Sequence, residues 1–241
     1  MEKQINRSRN FQLSYKISKP DGARRLVISD VHGCIKSLEG LLDKVKIQKT
    51  DQLFFLGDYI DRGPSSSGVL DLIANLQQEG YTIFPLRGNH EQMLLDVALN
   101  NPGGLVHHAL EYNVMDLLEE GRLKADYFNF LDALPYYYEL DHFYLVHGGF
   151  NFQAANPFED YDSMLWIRNF IPDNEWLKNK KVVHGHDPAL MEVIEDSIAT
   201  RKLKIPLDNG CVHYGLRVGM GNLLCLNLET FTLTIQENID H

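Results

Sequence analysis

Three strand–loop–helix units follow one another between Leu26 and Val97, and no other feature of the 241-residue sequence constrains the fold so tightly. Leu26-Val27-Ile28 reads as a short buried strand, after which Ile35, Leu38, Leu41, Leu42 and Val45 recur at helical spacing. Leu53 to Leu56 opens the second unit. Its helix spans Val69 to Leu76, with Ser65 or Ser66 placed to cap it. Thr82 to Leu86 opens the third, whose helix passes through Met93, Leu94 and Val97. Strands joined through helices are parallel, with right-handed crossovers, so the fold class is α/β.

The second half has a different texture. Residues 104–133 read as a helical insertion, two helices around Gly121. Tyr136 to Leu140 and Phe143 to Val146 flank a tight turn at Asp141-His142, the pattern of a hairpin. A short helix near Met164 to Phe170 and a strand at Lys181 to Val183 follow. From Leu203 to Gln236, β-rich segments alternate with glycines, as in an antiparallel meander. Residues 1–23 are polar and basic and read as a solvated arm, leaving 24–241 as a single domain. They lack the apolar core of a secretory signal, and no apolar run approaches the ~20 residues that span a bilayer.

Each of the three early strands ends in a polar run set among glycines. Asp30 and His32 follow the first, Asp58 and Asp61 the second, Asn89 and His90 the third. Asp30, Asp58 and Asn89 are each about 30 residues apart, the length of one βαβ unit. Carboxyl ends of parallel strands lie side by side and form the usual crevice of such sheets. Later strands add His147, and either His184 or His186. Oxygen and imidazole donors without thiolates suit manganese, iron or zinc. Six such donors exceed one tetrahedral site and suit two ions sharing a bridging carboxylate.

Composition narrows the partners. The formal charge of −10 argues against broad binding to nucleic acid or anionic membrane. Tyr136, Tyr137 and Tyr138 read as a strand, and no aromatic nucleic-acid platform is expected. Three cysteines without C-x-x-C spacing support neither a disulfide framework nor a zinc knuckle, and a reducing cytoplasm is the simplest setting.

Asp30-Val31-His32-Gly33, Gly57-Asp58-Tyr59-Ile60-Asp61-Arg62-Gly63, Gly88-Asn89-His90-Glu91, His147-Gly148-Gly149 and Gly185-His186 occur in that order. Together they resemble the phosphoprotein phosphatase family of serine/threonine phosphatases, within the calcineurin-like metallophosphoesterases, and within it the compact bacterial and lambda phosphatase-like type. The resemblance implies a four-layer sandwich, two mixed β-sheets flanked by helices. It implies that Asp30, His32 and Asp58 hold one divalent ion, while Asp58, Asn89, His147 and His186 hold a second. Two ions, with Mn²⁺ expected and iron or zinc possible alternatives, would activate a hydroxide for in-line attack on phosphorus. By the same resemblance His90 is the general acid, oriented by Asp61, and Arg62, Arg87 and Arg168 contact phosphate. Ser29 and Asp187 depart from the pattern, standing where Gly and Thr are usual.

The expected function is therefore a metal-dependent phosphomonoesterase acting on phosphoserine and phosphothreonine in a phosphoprotein or phosphopeptide, with no regulatory subunit implied. A dinucleoside polyphosphate hydrolase, acting on substrates such as diadenosine tetraphosphate, shares the early motifs and is the enzyme alternative. Asp61 before Arg62 and Glu91 after His90 favour the protein phosphatase. An inactive phosphopeptide-binding module is the alternative of another class, opposed by the full complement of ligands.

Overall fold

The computed structural model describes residues 13–240. In chain order its elements are β1 (Ser14–Lys16), β2 (Arg25–Ile28), α1 (Ile35–Val45), β3 (Gln52–Phe55), α2 (Ser66–Gln78), β4 (Thr82–Pro85), α3 (Asn89–Asn100), α4 (Leu105–Tyr112), β5 (Leu118–Glu119), β6 (Arg122–Leu123) and α5 (Ala125–Asp132). The second half adds β7 (Tyr137–Glu139), β8 (Phe143–Val146), α6 (Tyr161–Trp166), α7 (Asn174–Leu177), β9 (Lys181–His184), α8 (Met191–Ala199), β10 (Lys204–Pro206), β11 (Asn222–Asn227) and β12 (Leu233–Glu237).

Two mixed five-stranded sheets result. One has the order β12-β11-β2-β3-β4, the other β1-β7-β8-β9-β10. The three early units do pair in parallel, Ile28 opposite Phe55 and Phe55 opposite Pro85. The hairpin forms too, with Tyr137 opposite Val146. Alternation along the strands sorts the side chains into layers. Leu26, Ile28, Leu53 and Phe55 face the helices, packing with Leu38 and Leu41 of α1 and Val69 and Ile73 of α2. Val27, Phe54 and Leu56 face inward and meet Leu145 and Val183 of the other sheet. Tyr144, Val146 and Val182 face outward again, against Met164 and Leu165 of α6. Helices, sheet, sheet and helices make the four expected layers. Each of the wholly buried inward side chains contributes roughly 1.5–3 kcal/mol, so the strand ends start from a rigid base.

The structure corrects several details. Ser14–Lys16 is a strand, parallel to β7, within the segment read as an arm; residues 1–12 of that arm lie outside the described residues. Two helices, α4 and α5, do flank Gly121, but a strand pair that was not expected lies between them. Gly121 turns this small β5–β6 hairpin with φ +75°, a conformation open to glycine at no steric cost. The C-terminal meander reduces to the β11–β12 pair, because β10 joins β9 in parallel in the other sheet. Of the two candidate caps of α2, Ser65 does the work, its Oγ accepting the Gly68 N–H at 3.2 Å. No helix among the described residues is long and apolar enough to cross a membrane.

Candidate active site

The polar runs converge at the carboxyl ends of β2, β3, β8 and β9 and at the start of α3. The backbone there is bent out of ordinary regions. His32, Asp58, Asp61, Arg62 and His186 all have φ between 47° and 74°, which L-residues adopt rarely and which clusters at functional sites. Close approach explains two glycines. A Cβ at Gly57 would lie 2.6 Å from the Gly88 nitrogen, and one at Gly185 would collide with the Asp30 carboxylate.

Asp58 is the centre. Its Oδ1 lies 3.4 Å from His147 Nε2, and its Oδ2 lies 3.5 Å from His32 Nε2 and 4.0 Å from His90 Nε2. Its Oδ1 also accepts the His90 N–H of the first turn of α3 at 3.1 Å. Burial pushes the Asp58 carboxyl up, but the imidazoles of His147, His90 and His32 outweigh it and hold the group below the usual range. Burial disfavours the charged form of three of the imidazoles. His32 and His147 are lowered chiefly by desolvation, and His186 is lowered to about 3 by desolvation and then by His147.

Neutral imidazoles offer lone pairs, and the second nitrogen of each fixes which one. His32 Nδ1 donates to Ile60 O at 2.8 Å and His147 Nδ1 to Leu56 O at 2.9 Å, leaving both Nε2 atoms as acceptors. His147 Nε2 then faces Asn89 Oδ1 at 2.9 Å and Asp58 Oδ1 at 3.4 Å. Three acceptors turned toward one another are an arrangement that a cation satisfies. Asp30 Oδ1 is buried without a hydrogen-bond partner, as a ligand atom would be. Among the described residues two groups of side chains could hold a metal ion, His32-Asp58-His90 and Asp58-His147-His186, with Asp58 in both. Asn89 joins the second through its Oδ1, 2.8 Å from His186 Nδ1.

Asp30 falls in neither group, and His90 takes a place beside His32 and Asp58. Asp30 Oδ2 accepts the His186 backbone N–H at 2.9 Å. His90 Nδ1 donates to Asp61 Oδ2, and Arg62 bridges the two imidazoles, reaching His32 Nε2 at 2.8 Å and His90 Nε2 at 2.9 Å. Burial lowers His90, but Asp58 and Asp61 prevail and raise it. Arg168 stands at the mouth, 56% exposed, 3.2 Å from Asp187 Oδ1. Asp187 thus faces this arginine. Ser29 Oγ accepts the Leu224 N–H at 3.1 Å, so the serine ties the end of β2 to β11.

Arg87 meets a different set of groups from Arg62. Its guanidinium is buried, donating to Gln92 Oε1 at 2.7 Å and to the carbonyls of Leu131 and Asp132 at 3.2 and 2.7 Å, and lies over the Tyr136 ring. These bonds tie α5 to α3.

Three structural roles were not read from the sequence. Glu91 receives the backbone N–H groups of Asp58, Tyr59, Ile60 and Gly88 on one carboxylate. Asp208, after β10, is buried and pushed up to about 7, chiefly by burial. In the sequence Asp208-Asn209-Gly210 reads only as a turn, and its Oδ1 does accept the Gly210 N–H at 2.6 Å. The end of α4 holds the Arg62 loop, Tyr112 O accepting the Arg62 N–H and Asn113 Nδ2 donating to Gly63 O, both at 2.8 Å. Nothing in the sequence pattern marks that contact.

With this geometry the class is defined, and residues 23–218 match the calcineurin-like phosphoesterase family. The chain belongs to that family of metal-dependent phosphoesterases. Among relatives, the asymmetrical bis(5'-nucleosyl)-tetraphosphatase PrpE of Oceanobacillus iheyensis is 25% identical over 221 residues, covering 77% of this chain and 83% of its own. Serine/threonine-protein phosphatase 1 of Salmonella typhimurium is 40% identical, but over 80 residues, 33% of this chain and 35% of its own. A solved chain assigned as a diadenosine tetraphosphatase superposes with a TM-score of 0.68 at 22% identity, covering 94% of this chain and 99% of that one.

These relatives overturn the expectation of a serine/threonine protein phosphatase with a phosphoprotein partner. The physical reason lies in the two residues that had favoured it. Asp61 orients His90 and Glu91 holds the Asp58 loop, so both serve the scaffold of the phosphoryl site and neither reads the group that leaves.

Proposed function

We propose that this protein is a metal-dependent hydrolase of dinucleoside polyphosphates, cleaving diadenosine tetraphosphate asymmetrically to ATP and AMP. The observation that carries the reading is the Asp58 nest, two ligand groups sharing one carboxylate beside Arg62, in a chain similar over most of its length to a tetraphosphatase. Asp58, His32, His147, His186 and Asn89 would hold two divalent ions, Mn²⁺ by donor chemistry, with Asp30 close by. When bound, two such ions lower the pKa of water and neutralise charge on phosphoryl oxygens.

The side chains divide the remaining work. Arg62 presents a planar fork to the phosphoryl oxygens, exchanging its imidazole contacts for charge-assisted bonds. Arg168, at the mouth, meets the flanking phosphates. His90, raised and held by Asp61, delivers a proton to the bridging oxygen as its bond to phosphorus breaks and the oxygen of water bonds to phosphorus. A phosphate leaving group needs less help than an alkoxide, so His90 contributes less here than it would with phosphoserine.

The test is product analysis by anion-exchange chromatography with Mn²⁺. Equal ATP and AMP from diadenosine tetraphosphate, lost on chelation and in Asp58→Asn, support the reading. Two ADP would move the cut to the centre of the chain of phosphates. No turnover by metal-loaded enzyme would sink it.

A further inference from the structure

A cavity of about 540 Å³ lies at the opposite end of the strands from the Asp58 nest. Its walls include Arg25 at the start of β2, Phe143 at the start of β8 and Lys181 at the start of β9, whereas the ligand residues follow the other ends of these strands. Four strand residues separate the two faces by about 13 Å. The volume falls within the roughly 300–1,000 Å³ of small-molecule sites.

The lining is cationic in a chain of net charge −10. Lys19, Arg25, Lys181 and Arg201 contribute four positive charges, against Asp141 and Glu229. Arg25 is neutralised by Asp141 at 3.2 Å and Lys19 by Glu229 at 3.3 Å. Lys181 has no side-chain hydrogen bond or ion pair among the described residues, and Arg201 meets only the face of Phe231, 4.6 Å from the ring centre. Two cations therefore remain without a counter-charge at the wall. Arg201 follows α8 with φ +54°, the left-handed helix ending that also closes α1 at Lys46 and α7 at Lys178. Phe231, half-buried, packs on the buried Phe143 with ring centres 6.0 Å apart and is the aromatic side chain beside the charges.

We propose that this cavity is a second anion site that binds a nucleoside diphosphate. Lys181 and Arg201 take the phosphates, and the base or ribose packs against the Phe231 edge of the cavity. The site is separate from the Asp58 nest, so it binds without turnover.

The probe is α,β-methylene-ADP, titrated calorimetrically into the manganese-loaded enzyme at low salt. The wild type is expected to bind one equivalent more than Lys181→Glu/Arg201→Glu, and Lys181→Ala should weaken that equivalent by about tenfold or more, the value of one charged hydrogen bond. Raising salt from about 20 mM to about 200 mM should weaken it further through screening. Inorganic pyrophosphate should bind more weakly than the nucleotide; equal affinity would overturn the nucleotide assignment. Unchanged stoichiometry and affinity in both variants would overturn the site itself. Because the readout is binding, its failure is distinct from failure of the proposed hydrolysis.

Discussion

Glu91 offers the sharpest test of how the nest is held. Its Oε2 accepts the N–H groups of Asp58 and Gly88, both at 2.9 Å, and its Oε1 accepts those of Tyr59 at 2.8 Å and Ile60 at 3.4 Å. The carboxylate is fully buried. In Glu91→Gln the side chain keeps its length and one oxygen, but the other position becomes an NH₂ group facing backbone donors. Either orientation leaves one pair of N–H groups without an acceptor. A buried unsatisfied donor costs about 1–3 kcal/mol, so the pair is worth about 2–6 kcal/mol, and about 3 kcal/mol with the Ile60 bond long. For a chain of this size that lowers the unfolding midpoint by roughly 6–12 °C. The same loop carries Asp58, so bound manganese should also fall. Thermal unfolding without added metal, followed by metal analysis, measures both. Exposed Glu79→Gln, expected within about 0.5 kcal/mol of wild type, is the control. A midpoint within about 2 °C of wild type, with full metal content, would mean that Glu91 does not brace the loop.

Three other substitutions separate roles. Arg62→Ala should lower kcat/KM for diadenosine tetraphosphate by the worth of a charge-assisted bond, about 1.5–3 kcal/mol or roughly 10–100-fold; wild-type kinetics would show that Arg62 stays with His32 and His90. Arg87→Ala should reduce stability by about 2–4 kcal/mol through its lost bonds to Gln92, Leu131 and Asp132 while leaving KM alone, and a raised KM with unchanged unfolding would restore its expected phosphate contact. His90→Asn should lower kcat by about 10², the lower end of general acid catalysis; an unchanged rate with two metals bound would remove the acid role.

The sheets were legible because alternation and strand–helix periodicity report directly on burial. Asp58, His32 and His147 were legible because strand ends must meet, and a strand end is visible in sequence. Glu91 was visible as a letter but not as a brace, since its four partners are backbone groups that no side-chain pattern encodes. Arg87 reads as a phosphate ligand because it flanks the loop that carries Asn89, yet its side chain also bonds the carbonyls at the end of α5. Ser14–Lys16 pairs with a strand more than a hundred residues away, and its own composition is that of a tail. The substrate was least legible. Attack on phosphorus asks the same of Asp58 and Arg62 whether the leaving group is a nucleotide or a serine, so the motifs that carry the chemistry do not select between them.

The most direct measurement is the ratio of kcat/KM for diadenosine tetraphosphate to that for a phosphoserine peptide, taken on one preparation loaded with Mn²⁺. A hydrolase of dinucleoside polyphosphates, as the relatives suggest, is expected to prefer the dinucleotide by about 10²-fold or more, corresponding to about 2.7 kcal/mol of differential transition-state binding. A phosphopeptide turned over as efficiently as the dinucleotide would contradict it.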